Sequence, residues 1–328
     1  MPRFPEWDWT STRSSDYQAQ VTSPLPQIAP GPSLLLTRPW TDYGLVDSGH
    51  GRKLERYGPW RVVRPEPQCW WAPSLDEAVW SQANAIFDPT DDDDAGRWRR
   101  GELSPPDAWT LSWREVRFNA RLTPFRHLAF FPEQAANWEW LDASVRQFHS
   151  AEGRAPRILN LFGYTGVASL VCASAGADVT HIDASKKAIG YARDNAGLSG
   201  LSNAPIRWIC EDARRYVQRE LKRGSLYDGI ILDPPKYGRG PDGDVWKLFE
   251  DVAELASSCA ALLSENAAFL LLNAYAARIS GLSLAHLLAQ ELKGRSGLID
   301  WGELSLAEET AERGIGLSFF ARWRRSAP

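Results

Sequence analysis

The stretch RILNLFGYTGVASLVCASAGADVTHIDAS, residues 157–185, decides the fold of this chain. An apolar segment ends in a turn with two glycines, a segment of small apolar residues follows, and a second apolar segment ends at Asp183. Gly163 and Gly166 permit a tight turn and a close approach of the backbone to a ligand. The pattern therefore predicts a strand, a helix and a second strand around a ligand-binding turn.

The turn, NLFGYTG, differs from two common phosphate-binding loops. It lacks the Lys-Ser/Thr pair that contacts a triphosphate, and its glycines do not have the GxGxxG spacing of a dinucleotide loop. The hydroxyl of Thr165 and the amide of Asn160 suit a zwitterionic ligand better than a pyrophosphate. The alternative is an ordinary glycine-containing turn between a strand and a helix.

Strand and helix patterns alternate after this stretch. A helix over about residues 135–150 precedes it, and the patterns that follow it include the strands IRWICED, YDGIILDPP and AAFLLLNAY. Such alternation predicts an α/β fold with a doubly wound, mostly parallel sheet of the Rossmann-like type. The two last strands, GLIDWGELSL and LSFFARWRR, suit an antiparallel pair at one edge of the sheet.

Polar groups also stand where the second, third and fourth of these strands end. In an open α/β sheet the ligand binds outside the carboxyl ends of the strands. Asp183 ends the second strand, where a carboxylate can accept hydrogen bonds from a ribose diol. Asp212 ends the third strand near the expected position of an adenine amino group. Asp233 and the carbonyl of Pro234 end the fourth strand, where both are acceptors that face whatever lies over the ligand.

Composition limits the class of protein. The chain has 328 residues, 44% of them hydrophobic and 24% charged, and no apolar run of 18 residues that predicts a membrane span. Its start lacks the apolar segment of a secretory signal, and its four cysteines contain no CxxC pair. We therefore expect a cytoplasmic protein without disulfides, a metal site or a membrane association.

Residues 1–119 are predicted to be a separate, β-rich module with a flexible lead, and residues 120–328 the α/β domain. Twelve of the 16 tryptophans precede residue 141, and most are interpreted as core residues. DSGHGRK is predicted to be a hairpin turn, Ser74 with Glu77 a capping box, and AWTLSWREVRFNARL one strand. The four aspartates of residues 91–94 predict a loop.

The net charge of −4 weighs against tight, sequence-independent binding of nucleic acid, which needs a basic surface. Two RWRR segments, residues 97–100 and 322–325, are interpreted as solvated surface, with a local nucleic-acid patch as the alternative. His127 is interpreted as a structural histidine, with a base near the ligand as the alternative.

The segments LNLFGYTG, HIDASKKAIGYARDNAGLSGL and LDPPKYG resemble the motifs of class I S-adenosylmethionine-dependent methyltransferases. Within that class it is similar to the group that methylates large-subunit ribosomal RNA, including its cytosine-5 members, over roughly residues 125–325. The resemblance implies S-adenosyl-L-methionine as the cofactor and RNA as the substrate. In that group an FLDQR-like segment closes over the methionine end of the cofactor. FFPEQAANWEWL stands at the corresponding place in this chain, and the resemblance therefore adds Phe131 and Gln134 to the site.

The predicted site has two overlapping parts. The cofactor part, taken from the strand ends and the resemblance, comprises Phe131, Gln134, Asn160, Phe162, Gly163, Tyr164, Thr165, Gly166, Asp183, Ala184, Asp212, Ala213 and Asp233. The catalytic part comprises Asp233, Pro234 and Tyr237, by similarity to the Asp/Asn-Pro-Pro-aromatic turn of amino-methyltransferases. In this chain Lys236 is inserted before the aromatic residue.

One departure from the resembling group concerns its cysteine. Cytosine-5 methylation needs a thiolate that attacks the base, but Tyr275 and Lys236 stand where that cysteine is expected. Cys172, Cys210 and Cys259 are interpreted as buried structural thiols. We therefore predict direct methyl transfer without a cysteine, with Tyr237 stacked on the target ring.

Three functions remain open from the sequence. The first is a methyltransferase that acts on RNA, with ribosomal RNA as the favoured substrate, at a nitrogen or another position that needs no cysteine. The second is a methyltransferase of a protein or a small molecule, which the acidic composition favours. The third is a protein that binds the cofactor without catalysis. Homo-oligomerisation is also left open.

Overall fold

The computed structural model describes residues 25–90, 95–240, 243–275 and 278–326. The aspartate run of residues 91–94 and most of the predicted lead lie outside these ranges. The strands are β1 (Gln27–Ile28), β2 (Ser33–Thr37), β3 (Tyr43–Gly49), β4 (Arg52–Tyr57), β5 (Trp60–Pro65), β6 (Ala85–Pro89), β7 (Gly96–Arg100), β8 (Ala108–Trp113), β9 (Val116–Arg121), β10 (Arg157–Leu161), β11 (Asp178–Asp183), β12 (Ile206–Cys210), β13 (Gly229–Leu232), β14 (Tyr237–Arg239), β15 (Val245–Lys247), β16 (Phe269–Tyr275), β17 (Leu298–Ala307) and β18 (Gly314–Arg324). The helices are α1 (Glu77–Trp80), α2 (Ala135–Glu152), α3 (Val167–Ser174), α4 (Lys186–Leu198), α5 (Ala213–Arg223), α6 (Leu248–Ala261) and α7 (Gly281–Glu291).

The main sheet has the order β1-β17-β18-β16-β13-β10-β11-β12, and β2 also pairs with β17. Strands β10, β11, β12, β13 and β16 are parallel, whereas β18 runs antiparallel to both β16 and β17. The predicted α/β fold is confirmed, and so is the antiparallel pair of late strands. That pair is not the edge itself, because β1 and β2 continue the sheet beyond it.

The order in which strands are added to the sheet reverses at β10. From β10 the chain proceeds to β11 and β12 on one side, and then returns to form β13 on the other side of β10. The connections that leave β10 and β13 therefore diverge, and a crevice is left at the carboxyl ends of these two strands. Both strands are buried, as parallel strands covered on two faces must be.

Capping residues fix where the helices around this crevice begin. The hydroxyl of Ser185 accepts a hydrogen bond from the Ala188 backbone N–H at the start of α4. The Asp212 carboxylate accepts from the backbone N–H groups of Arg214 and Arg215 at the start of α5. These side chains satisfy donors that the first helical turn leaves free, so the helices start directly after the strand ends.

The residues before 120 form two further sheets and also part of the main one. Strands β3 to β7 make a five-stranded sheet, and β8 pairs with β9. One hydrophobic cluster contains Tyr57 and Phe118 from this part of the chain together with Trp138 and Leu170 from the other. The division at residue 119 into two domains therefore stays a prediction, and residues on its two sides share a core.

Most tryptophans of this part are core residues, as predicted. Trp80, Trp109 and Trp113 are buried. Partly buried tryptophans that pack against the same cluster as Trp109 are Trp40, Trp60, Trp71 and Trp98. Among the tryptophans that the structure describes before residue 120, Trp70 is the exception, with 88% of its surface exposed.

Three local predictions for the chain before residue 120 have definite outcomes. DSGHGRK forms the predicted hairpin turn between β3 and β4. The predicted helix is only α1, capped without a side-chain bond at Asp76, and the Ser74 hydroxyl instead accepts from Arg313. AWTLSWREVRFNARL is two strands rather than one, because the chain reverses at Arg114 with a positive φ of 51°.

No helix among the described residues has both the length and the apolar character needed to cross a bilayer.

Gly229 tests how tightly the sheet packs away from the crevice. A Cβ at this position would lie 2.5 Å from the ring of Phe269 and 2.7 Å from Ile158. We expect Gly229→Ala to destabilise the fold by roughly 1–3 kcal/mol, because both neighbours are buried and have no room to move. Gly190→Ala is the matched control: nothing lies within 4 Å of its Cβ on α4, so it should stabilise by roughly 0.5–1 kcal/mol. Denaturant unfolding measures both, and equal effects would contradict the packing argument.

Candidate active site

A cavity of about 470 Å³ occupies the crevice at the carboxyl ends of the parallel strands. Its volume is within the range of roughly 300–1,000 Å³ that holds small molecules in proteins. Every residue of the predicted cofactor part lines it, and so does Pro234. Residues that line it without having been predicted include Phe125, Glu133, Asn137, Arg239, Trp246, Asn273 and Tyr275.

The turn after β10 has an unusual backbone. Phe162 and Tyr164 have φ angles of 57° and 49°, in the left-handed region that side chains disfavour. The conformation is held by two hydrogen bonds: the Gly163 N–H donates to the carbonyl of Ile182, and the Tyr164 N–H donates to Asp183, both at 2.9 Å. Strain of this kind persists where the surroundings dictate the backbone, which is common at binding sites.

The two glycines of the turn are required by packing within the protein. A Cβ on Gly163 would lie 2.4 Å from the ring of His181, and one on Gly166 would lie 2.9 Å from Ala192. Gly166 also has a φ of 85°. Packing within the protein therefore already requires glycine at both positions, and both line the cavity, so their close approach to a ligand stays a prediction.

Thr165 and Asn160 also bond to the protein. The Thr165 hydroxyl donates to the carbonyl of Ala129 at 2.6 Å, and the Asn160 amide donates to the Ser169 hydroxyl at 2.8 Å. The Thr165 hydroxyl therefore fastens the segment of residues 125–131 over the turn. Both side chains line the cavity, but the single donor of Thr165 and one of the two amide N–H donors of Asn160 are already used within the protein.

Asp183 presents a carboxylate at the wall of the cavity. One oxygen accepts from the Tyr164 N–H and the other from the Ser185 N–H, at 2.9 and 2.8 Å. Burial raises its pKa, although these two hydrogen bonds favour the ionised form. A carboxylate oxygen can accept more than one hydrogen bond, so both remain available to a diol.

Asp212 has a structural role besides its place in the cavity wall. Its Oδ1 caps α5, and its Oδ2 lies 3.4 Å from the guanidinium of Arg214. Arg214 in turn donates to Asp251 at 2.9 Å. The carboxylate predicted to meet an adenine amino group is thus held in place by the helix it caps.

Asp233 has no cationic partner among the described residues. The Gln134 amide Nε2 lies 3.4 Å from its Oδ2. Burial and the nearby charge of Glu133 raise the pKa of Asp233 to about 7. Burial likewise raises the pKa of Glu133, which lines the same cavity. The buried Glu133 and the half-buried Asp233 share one cavity without an ion pair to either among the described residues, which favours a cationic ligand there.

A network of amides that the sequence did not indicate orients Gln134. Its Oε1 accepts from the Nδ2 of Asn137 at 2.8 Å and from the Nδ2 of Asn273 at 3.2 Å. With its oxygen held by two donors, Gln134 directs its own N–H groups to Asp233. The available signal was Asn273, a polar residue in the otherwise apolar strand LLLNAY.

Tyr237, which was predicted to stack on the target ring, does not line the cavity. It belongs to the hairpin of β14 and β15, which follows the two prolines, and 52% of its surface is exposed. Its hydroxyl accepts from Arg239 at 3.3 Å. The ring that reaches the cavity from this hairpin is that of Trp246, whose N–H donates to the carbonyl of Pro235 at 2.7 Å.

No cysteine lines the cavity in the described part of the chain, which includes all four. Cys172 and Cys259 are buried, as predicted, and burial raises the pKa of both thiols. The prediction was wrong for Cys210, which is exposed because it ends β12, the edge strand of the sheet. The described residues also contain no cluster of three potential metal ligands.

The raised pKa of Asp233 makes a prediction for the ligand-free protein. An unfolded aspartate ionises near pH 4, whereas Asp233 ionises near pH 7 in the fold, so its contribution to stability is lost as the pH rises from about 4 to about 7. Asp233→Asn removes that loss. We expect the stability gained by the substitution to increase by roughly 1–3 kcal/mol between pH 5 and pH 8, as measured by denaturant unfolding. The exposed Asp178→Asn is the control, and an equal effect of Asp233→Asn at both pH values would contradict the assignment.

Comparison with known proteins places these features in a family. The model of the family described as Conserved hypothetical protein 95 matches residues 135–268. A crystal structure of a SAM-dependent methyltransferase from Agrobacterium tumefaciens is 47% identical, covers 93% of this chain and 97% of that one, and superposes with a TM-score of 0.88.

Two curated relatives match shorter segments. Ribosomal RNA large subunit methyltransferase K/L of Shewanella frigidimarina is 35% identical over 130 residues, which are 39% of this chain and 18% of the relative. Ribosomal RNA large subunit methyltransferase I of Aeromonas salmonicida is 37% identical over 93 residues, which are 28% of this chain and 24% of the relative. The matches thus span less than a quarter of either relative.

The cavity fits the cofactor of this family. S-adenosylmethionine carries positive charge on its sulfonium and α-amino groups and a diol on its ribose. Asp233 and Glu133 offer the negative charge, and Asp183 offers the diol acceptor. The site geometry and the nearly full-length match agree, and this chain belongs to the S-adenosylmethionine-dependent methyltransferases.

Proposed function

We propose that this methyltransferase acts on RNA, with ribosomal RNA as the substrate class, by direct transfer to a nitrogen without a cysteine intermediate. The observation that carries the chemistry is the Asp233 carboxyl at the cavity, beside Pro234 and without a cationic partner in the described part of the chain. The names of the two curated relatives support the substrate class.

Charge near the cavity supports an RNA substrate despite the acidic composition. Arg239 lines the cavity, and the neighbouring Lys236 is exposed. Arg99 and Arg100 of the first RWRR segment pair with Asp88 and Asp107. The Gly96 N–H at the start of β7 donates to the carbonyl of Pro124 at 2.9 Å, next to the cavity residue Phe125, which brings the exposed Arg97 of that segment into this region. These cations can contact phosphates locally while the net charge of the chain stays negative.

The proposed chemistry needs few protein groups. When bound, the cofactor supplies a methyl group already activated by its sulfonium, whose sulfur takes the electrons of the broken C–S bond. The Asp233 carboxylate and the Pro234 carbonyl accept hydrogen bonds from the target amino group and direct its lone pair to the methyl carbon. The Asp233 carboxylate can then take the proton that the methylated amino group loses.

Tyr237 has a different role in this proposal from the stacking predicted on the sequence. Its exposed ring stands between Lys236 and Arg239 on the hairpin outside the cavity. We assign it a contact with the RNA strand next to the target, where an aromatic ring and two cations can hold a nucleotide. The proposed setting for all of these contacts is the cytoplasm, where ribosomal RNA is processed.

The experiment is transfer of label from radiolabelled S-adenosylmethionine to separate pools of unmodified ribosomal RNA, transfer RNA and total protein. We expect label in ribosomal RNA, and a loss of about 100-fold or more in its rate with Asp233→Ala, because the acceptor is gone. Cys210→Ser, which changes the exposed thiol, should retain the activity.

The other outcomes are equally informative. Loss of transfer in Cys210→Ser would contradict the cysteine-independent chemistry. Label only in protein would replace RNA by a protein substrate. No label in any pool, with the cofactor still bound in calorimetry, would contradict the RNA proposal and favour a small-molecule substrate or a binding protein without catalysis.

A further inference from the structure

Five ring side chains form a continuous cluster along the outer wall of the cavity. Their ring centroids lie 5.5 Å apart for Phe125 and His127, 5.3 Å for His127 and Phe131, and 5.5 Å for His127 and Tyr164. Tyr275 completes the cluster at 6.1 Å from Phe131. All five line the cavity.

The cluster extends from the predicted cofactor residues to the solvent. Phe131 and Tyr164 lie at its inner end, in the segment and turn assigned to the cofactor. Phe125 lies at its outer end, where 48% of its surface is exposed although its ring stacks on His127 at an angle of 12°. A large exposed aromatic ring at a cavity mouth is typical of a surface that binds a planar ligand.

The segment that carries three of these rings is firmly held by the five-stranded sheet. The buried guanidinium of Arg64 on β5 donates to the carbonyl of Arg126 at 3.0 Å. Arg64 is itself fixed by two hydrogen bonds to Glu55, at 2.6 and 2.7 Å. The indole of Trp98 on β7 donates to the carbonyl of Thr123 at 2.8 Å. The cluster is therefore preorganised, which lowers the cost of binding a ligand.

The cluster is also uncharged at its centre. Burial, together with the charges of Arg64 and Arg126, lowers the pKa of His127 to about 4, so its ring is neutral at physiological pH. A neutral ring can stack on a base without repelling a cationic methyl donor. Arg126 lies over the ring of Tyr275 and donates to its hydroxyl.

We infer that this cluster, and not Tyr237, is the binding site for the target base, and that the base enters it as an unpaired nucleotide. The inference rests on the proposed action on RNA. A base within a helix has both faces covered by its neighbours, so it must leave the stack before it can lie against Phe125 and His127. The position of the cluster then brings the base from the cavity mouth to Asp233.

The experiment compares Phe125→Ala, Phe125→Tyr and Trp70→Ala in the full-length chain. Trp70 is the matched control, since it is an exposed aromatic residue that does not line the cavity. The first measurement is the KM and kcat of methyl transfer to ribosomal RNA, with cofactor affinity by calorimetry. We expect Phe125→Ala to raise the KM for RNA about tenfold or more and to leave cofactor affinity unchanged, while Phe125→Tyr restores the KM and Trp70→Ala has no effect.

Two further measurements test the binding site itself. Labelled ribosomal RNA fragments that contain the methylated position should lose methylation when a complementary strand is annealed over it. Independently of any transfer, adenosine, guanosine and cytidine monophosphates are titrated into the chain saturated with S-adenosylhomocysteine and followed by saturation-transfer NMR. We expect at least one of them to bind in a manner that Phe125→Ala abolishes and Trp70→Ala does not.

The outcomes separate this inference from the proposed function. RNA methylation that is unaffected by Phe125→Ala, or undiminished by annealing, overturns the inference and leaves the RNA substrate in place. Nucleotide binding that depends on Phe125, without label in any RNA, supports the base site and overturns RNA methylation. If neither nucleotide binding nor RNA methylation is observed, both the inference and the proposed function are overturned.

Discussion

The reversal of strand order between the parallel strands β10 and β13 is the constraint on which the rest of the site depends. Because these neighbouring parallel strands continue in opposite directions, no connection covers their carboxyl ends, and the residues that follow them face one cavity. One strand delivers the turn of residues 162–166, and the other delivers Asp233 and the two prolines. The polar groups meet there because the sheet topology leaves them no other place.

That cavity stores unfavourable electrostatic energy in the ligand-free protein. Asp233 and Glu133 are held in an enclosed space without a cation bonded to them among the described residues, and burial raises the pKa of both. By contrast, the Arg64 guanidinium holds the pKa of the fully buried Glu55 at about 2, although burial alone would raise it. Paired carboxylates in this protein support the fold, and unpaired ones prepare it for a cationic ligand.

The Arg64–Glu55 pair also explains how the sheet before residue 120 contributes to the site. A buried pair fixes its partners strongly, because neither charge can move without losing the other. Arg64 uses a further donor on the carbonyl of Arg126, so the segment that covers the cavity is anchored from a different sheet. The Thr165 hydroxyl anchors the same segment from below, through Ala129. The cavity wall is therefore a joint product of both parts of the chain.

By itself, the sequence determined the α/β sheet, the strand ends that carry Asp183, Asp212 and Asp233, and the cofactor class. The sheet and its strand ends follow from apolar periodicity and turn residues, which act between neighbours in the chain. The cofactor class follows from the resemblance of the turn and strand-end segments to a known family. The sequence did not predict the hairpin at Arg114, because the residue with positive φ there is an arginine and not the glycine that usually marks such a turn.

Only the tertiary structure decided which side chains meet. It put Gly163 against His181, and it joined Asn137 to Asn273 across 136 positions of the chain. It also left Tyr237 outside the cavity and brought Phe125 to its mouth. Contacts between residues that are far apart in the chain depend on the packing of whole sheets and helices against one another, and no local pattern of residues encodes them.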